Sequence, residues 1–156
     1  VIPANFNAPG QVVIAGHATA VTKAGELAKA AGAKRVVILP VSVPSHCPLM
    51  KSAATEFRKL LDATEFGTPQ IQVLHNVDVE AHADATAIRT ALESQLYGSV
   101  RWTETIRKMV ASGVDRFVEC GPGAVLAGLN KRIASDVRTQ GFSDSQSLEK
   151  AKELVA

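Results

Sequence analysis

Apolar residues recur along this chain with two periods that alternate. QVVIAG (11–16) is a short continuous apolar run closed by glycine, which predicts a strand. Val21, Ala24, Leu27, Ala28 and Ala31 then fall at helical spacing, and Gly32 is a natural stop. RVVILPVSV (35–43) is β-branched and apolar and predicts a buried strand. Met50, Ala53, Ala54, Phe57, Leu60 and Leu61 give one helix face over 48–61, and IQVLHNV (71–77) predicts another strand. Asp84 is placed to cap a helix carrying Ile88, Leu92 and Leu96, with Arg89 and Glu93 as an i,i+4 pair. Trp102, Ile106, Met109 and Val110 line the next helix, which Gly113 ends. VDRFVE (114–119) predicts a strand, and CGPG turns from it into a helix with Leu126, Leu129 and Ile133. The tail, TQGFSDSQSLEKAKELVA, predicts a polar link and a short amphipathic helix.

Strands alternating with helices predict an α/β fold with a largely parallel sheet. No internal repeat breaks the pattern. Pro40 to Pro44 is the best place for a boundary, where the chain leaves one βαβ-like unit. The 156 residues, 46% apolar and 21% charged, suit one domain with one core. A net charge of +2 leaves no bulk footprint for nucleic acid, and 4% aromatic residues argue against base-stacking platforms. No apolar run approaches the ~20 residues that span a bilayer, and no secretory signal pattern stands out. Two cysteines, Cys47 and Cys120, are too few for a disulfide scaffold and fit a reduced, cytoplasmic setting. The opening VIPANFNAPGQ lacks an initiator methionine and reads as the middle of a strand and loop. The chain is therefore expected to begin inside a larger protein.

The chemistry-bearing candidate is His46, in VSVPSHCPLM (41–50). Pro48 suits the first position of a helix, where a missing N–H costs nothing. His46 would then lie just outside a helix N-terminus, whose positive end disfavours imidazolium and suits a proton acceptor. Against this stands the plainer reading that one histidine fills a corner of a core. Metal binding does not fit, because the four histidines and two cysteines show no ligand spacing and His46 and Cys47 are adjacent. Cys47 reads best as a small buried hydrophobe. GPGAVLAG (121–128) is a Gly-rich turn of the kind that can hold phosphate, but without the lysine of a P-loop it reads as a structural turn. GHATA (16–20) is similar to a nucleophile elbow, with Ala18 where the serine belongs and Ala20 in place of the second glycine.

NFNAPGQVVIAG, VSVPSHCPLM, HNVD, QLYGSVRW and VECGPGAVLAGLNKRI, in that order, resemble one family, the malonyl-CoA:acyl carrier protein transacylases of bacterial fatty acid synthesis. The resemblance runs along nearly the whole chain, the last fifteen or so residues excepted. It implies a ping-pong transfer. A serine takes malonyl from malonyl-CoA, and the phosphopantetheine thiol of acyl carrier protein takes it from the serine, with no cofactor. The family histidine maps onto His46 as general base. Its ring is oriented by the main-chain carbonyl of the glutamine in Gln-Leu-Tyr, here Gln95. Asn5 and Asn7 are implied to lie near the acyl pocket.

The departures are as informative as the matches. The nucleophile elbow, the Gly-Gln-Gly part of the oxyanion hole and the arginine that grips the malonyl carboxylate have no counterpart here. The resemblance thus implies a C-terminal half whose missing N-terminal half is its first partner. Residues 1–42 would belong to a small ferredoxin-like subdomain, and 43–156 to a hydrolase-like parallel-sheet core with a short helical tail. Lys51, Arg58, Lys59, Lys131 and Arg132 could give basic contacts to an acidic carrier protein. Two other readings remain open: a non-catalytic module that binds acyl carrier protein, and an acyltransferase domain of a polyketide synthase. Neither involves nucleic acid or a membrane.

Overall fold

The computed structural model describes residues 1–155 and is a mixed α/β structure with small sheets. Strands β1 (Ile2–Ala8) and β2 (Gln11–Ala15) pair across the two-residue turn Pro9-Gly10. Gly10 has φ of 73°, a left-handed conformation that glycine adopts at no steric cost. Helix α1 (Ala18–Ala30) follows, and Gly32 at φ 95° ends it as the pattern predicts. A 3-10 turn, Pro48–Met50, leads into α2 (Lys51–Ala63), and α3 (Ala85–Gln95) is capped by Asp84, which accepts from the Ala87 N–H at 2.9 Å. Then come α4 (Trp102–Ala111), β3 (Arg116–Cys120), α5 (Val125–Ile133), β4 (Arg138–Phe142) and α6 (Ser145–Val155).

The contacts fall into two compact units. The first takes in residues 1–6 and 12–101. Within it α2 and α3 pack through Ala54, Leu61, Ile88 and Ala91, all buried. Arg58 of α2 meets Glu93 of α3 at 3.1 Å. Arg89 donates to the carbonyls of Leu61 and Thr64 at 2.8 and 2.7 Å, so it satisfies the open end of α2. The expected pair between Arg89 and Glu93 therefore gives way to two contacts between helices. A helix-end carbonyl given a charged donor is worth more than an exposed ion pair along one helix.

The second unit takes in residues 7–11 and 102–155 among those described. Its sheet is the parallel pair β3–β4, joined through α5 and covered by α6. Residues 139–142, expected as part of a polar link, are thus in a strand: Arg138 to Phe142 run in register with Arg116 to Cys120. Tertiary pairing overrides the low β-propensity of Gln140 and Gly141. A Cβ on Gly141 would lie 3.1 Å from the Gly123 carbonyl, a contact tighter than most side chains make, so strand and turn approach closely here.

Two expected strands are absent. Residues 35–43 form no strand, and Val36, Val37, Ile38, Leu39, Val41 and Val43 are exposed. β-Branched side chains favour a strand only where a neighbouring strand accepts the ladder, and none among the described residues does so here. Residues 71–77 make a single bridge, Leu74 to Ala81, and leave Ile71 and Val73 exposed. What forms instead is a tight loop. The His75 N–H donates to the Glu80 carbonyl and the Val79 N–H to the His75 carbonyl, both at 2.9 Å. Val79 sits at φ 64°, a strained position for a β-branched residue, and its burial holds it there.

This loop carries a cluster that no spacing rule in the sequence flags. The His75 and His82 rings lie 5.3 Å apart, and His82 Nε2 donates to Asp78 Oδ2 at 2.7 Å. Burial would raise the Asp78 carboxyl, but the hydrogen bonds from His82 and the Glu80 N–H, with the nearby imidazoles, hold it below its usual value. His75 is buried, and that burial, helped by His82 and opposed by Asp78, lowers its pKa from 6.5. Folding therefore selects the neutral His75 ring. Its contribution is complete above about pH 6.5 and is lost as pH falls below that toward the lowered folded value. Asp78 titrates in a separate window, below 3.8. Urea unfolding between pH 7 and 5 should show a stability loss that His75→Asn reduces. An identical loss in the variant would contradict this placement of His75.

Candidate active site

His46 is positioned by the far end of α3, 49 residues later in the chain. A helix leaves its last carbonyls without partners inside the helix. Here the Gln95 carbonyl oxygen lies 2.8 Å from His46 Nδ1, and the Leu96 carbonyl accepts the His46 backbone N–H at 3.0 Å. Leu96, Tyr97 and Gly98 turn their own N–H groups back onto the carbonyls of Glu93 and Ser94. His46 thus completes the C-terminus of α3 with both its ring and its main chain.

Two local features of VSVPSHCPLM allow this. His46 adopts φ 60°, a left-handed conformation that costs a non-glycine residue roughly 1–2 kcal/mol. The two bonds to α3 offset that cost. Cys47 is buried, at 1% exposure, and extended, and its carbonyl accepts from the Met50 N–H as the 3-10 turn begins at Pro48. It behaves as the small hydrophobe its sequence setting suggests, and both cysteines are free thiols.

The ring chemistry follows from the acceptor. A carbonyl cannot donate, so Nδ1 must carry the hydrogen that it shares with Gln95. A neutral imidazole then has its lone pair on Nε2. The sequence predicts the positive end of a helix starting at Pro48 beside the ring. In the structure a 3-10 turn occupies Pro48–Met50 and α2 begins at Lys51, and the group that touches the ring is a carbonyl at the end of α3, the helix end of opposite sign, so a hydrogen bond orients the ring.

Asn5 and Asn7 lie on one face of β1, both half-buried. Asn5 bridges in parallel to Val100: the Phe6 N–H donates to the Val100 carbonyl and the Val100 N–H to the Ala4 carbonyl. The strand that bears Asn5 is therefore fixed to the segment just after Gln95. Asn7 belongs to the second compact unit. Among the described residues no group of three or more histidines, cysteines or carboxylates is placed to hold a metal, and no helix is long and apolar enough to cross a membrane.

The Gly-rich turn at 121–124 has its anion already. Glu119 reaches across it and accepts from the N–H groups of Leu126 and Ala127 at 3.1 and 2.8 Å. A carboxylate from the end of β3, reaching the N-terminus of α5, takes the donors that a phosphate would need. Of the basic residues set aside for a carrier protein, Arg58 and Lys59 are paired with Asp62, Glu93 and Glu56. Arg132 holds the Gln11 side chain and the Pro9 carbonyl.

No family model matches the chain. It is similar to the malonyl CoA-acyl carrier protein transacylase of Haemophilus influenzae, with 52% identity over 151 residues, 97% of this chain and 48% of that protein. Among solved structures, an acyl carrier protein S-malonyltransferase from Vibrio cholerae superposes with a TM-score of 0.93 at 54% identity, over 96% of this chain and 49% of that one. A malonyl-transacylase in complex with a type II polyketide acyl carrier protein gives 0.95 at 53% identity, over 97% and 49%. The chain spans about half the length of the curated relatives it matches. In sequence and in fold, it is homologous to the malonyl-CoA:acyl carrier protein transacylases over that half.

Proposed function

We propose that this chain supplies the histidine side of a site that moves a malonyl group from malonyl-CoA to acyl carrier protein through a serine ester. The observation that carries the reading is the 2.8 Å contact between His46 Nδ1 and the Gln95 carbonyl, which leaves Nε2 as the proton acceptor. In the first half-reaction Nε2 takes the serine proton as Oγ attacks the thioester carbonyl. The C–S bond breaks, and the proton passes to the departing thiolate. In the second half-reaction Nε2 takes the proton of the carrier's phosphopantetheine thiol, the sulfur attacks the ester, and serine Oγ leaves with that proton. Every atom is accounted for without a cofactor or a metal. The compartment would be the cytoplasm.

The serine, the oxyanion donors and a group for the malonyl carboxylate would come from the part of the relatives that this chain does not span. The exposure of residues 36–43 supports that division, since an apolar β-branched run suits a strand from elsewhere. Asn5 and Asn7 would line the acyl pocket from β1. Residues 1–42 would form part of a ferredoxin-like subdomain, and 43–156 part of a hydrolase-like core. A carrier protein as acceptor is supported by the solved complex of a similar transacylase with one. Lys51, whose ammonium lies 5.8 Å from the centre of the Tyr97 ring, would be a basic contact for it in the first unit, where Arg58 and Lys59 are paired with carboxylates.

In the enzyme completed by its remaining half, His46→Ala should lower transfer by ~10²–10⁴, the usual worth of a general base. Near-normal turnover would remove His46 from the mechanism. The 156-residue chain alone, incubated with labelled malonyl-CoA, should gain no mass, because a base without its nucleophile cannot start covalent catalysis. A stoichiometric adduct, on Cys47 or Ser45 for example, would overturn the half-site reading.

A further inference from the structure

Gln95 touches two segments with two different groups. Its main-chain carbonyl meets the His46 ring, and its side-chain Oε1 accepts the backbone N–H of Asn76 at 3.2 Å. Asn76 is held on its other side as well, for its carbonyl accepts the Arg101 N–H at 2.9 Å. Arg101 also reaches the Asp78 carbonyl with its guanidinium at 3.3 Å. The Asn76 peptide is therefore clamped between the last residue of α3 and the residue that precedes α4.

The packing beside this bond is equally tight. A Cβ on Gly98 would come within 2.5 Å of Val77 Cγ2 and 2.9 Å of the Ser94 carbonyl. The exit of α3 thus lies directly on residue 77, with no room for a side chain. Beyond Val77 the chain enters the loop fixed by the Asp78–His82 pair and by buried His75 and Val79. A carbonyl at a helix end is otherwise free to tilt, because no residue beyond it continues the ladder. Here the residue that bears that carbonyl is tied at its side chain to a rigid loop.

We propose that the Gln95 side chain is a positioning group for His46: by anchoring the end of α3 to Asn76, it fixes the direction of the carbonyl that orients the imidazole. This rests on the catalytic reading of His46, but its first test does not. Gln95→Met keeps the length and the main-chain carbonyl and removes the strong acceptor. Gln95→Glu keeps an acceptor oxygen.

The measurement is the exchange rate of the His46 Nδ1 proton with water, followed by NMR on the 156-residue chain. Gln95→Met should speed that exchange about fivefold to tenfold, the worth of one ordinary hydrogen bond. Gln95→Glu should leave the Nδ1 proton protected. Equal protection in the parent chain and Gln95→Met would overturn the proposal, as would equal loss in both variants. In the completed enzyme the Met variant should lower kcat by a similar factor with KM unchanged. A rise in KM alone would place the side chain in substrate binding instead. If His46→Ala retained turnover while Gln95→Met still freed the ring proton, the catalytic reading would fall and the positioning would stand.

Discussion

The end of α3 presents carbonyls that its own helix cannot satisfy, and a loop 49 residues earlier supplies the donors. The arrangement around His46 depends on that constraint. The ring and the backbone N–H of His46 go to adjacent carbonyls, Gln95 and Leu96, which requires the left-handed turn at His46. Buried Cys47 and the Pro48 turn then carry the chain into α2. Helix α2 in turn has its open end filled by Arg89 of α3. The two helices are thus completed from outside themselves, α2 by α3 and α3 by the His46 loop. A histidine used in this way has its Nδ1 committed and its Nε2 available.

The helices were largely legible in the sequence. Their apolar spacing, the cap at Asp84 and the stops at Gly32 and Gly113 are local signals, and local signals survive whatever else the chain does. Strands were less legible because pairing is not local. The run 35–43 has the composition of a buried strand and lies exposed without a ladder, whereas Arg138–Phe142, with an unremarkable composition, pairs along its whole length with β3. The missed feature in each case is the neighbour, which no window of sequence contains.

The candidate site divides in the same way. His46 stands out by its frame of prolines, but the proximity of the Gln95 carbonyl was implied only by resemblance to a family. A main-chain acceptor leaves no residue type to read, and 49 positions separate the two. The contacts of Gln95 Oε1 with Asn76 and of Asp78 with His82 depend on how the 74–82 loop turns, and the expected strand there concealed it. Glu119 could have been suspected, since a carboxylate just before a Gly-rich turn into a helix has donors within reach.

The bond to the Gln95 carbonyl requires the His46 ring to have one tautomer, with the hydrogen on Nδ1. Long-range ¹⁵N–¹H correlation NMR of the imidazole in the 156-residue chain at neutral pH reads this directly. The predicted result is a ring whose hydrogen sits on Nδ1 and whose lone pair sits on Nε2. A ring protonated on Nε2, or an even mixture of the two tautomers, would mean that the Gln95 carbonyl does not orient His46 and would contradict the account.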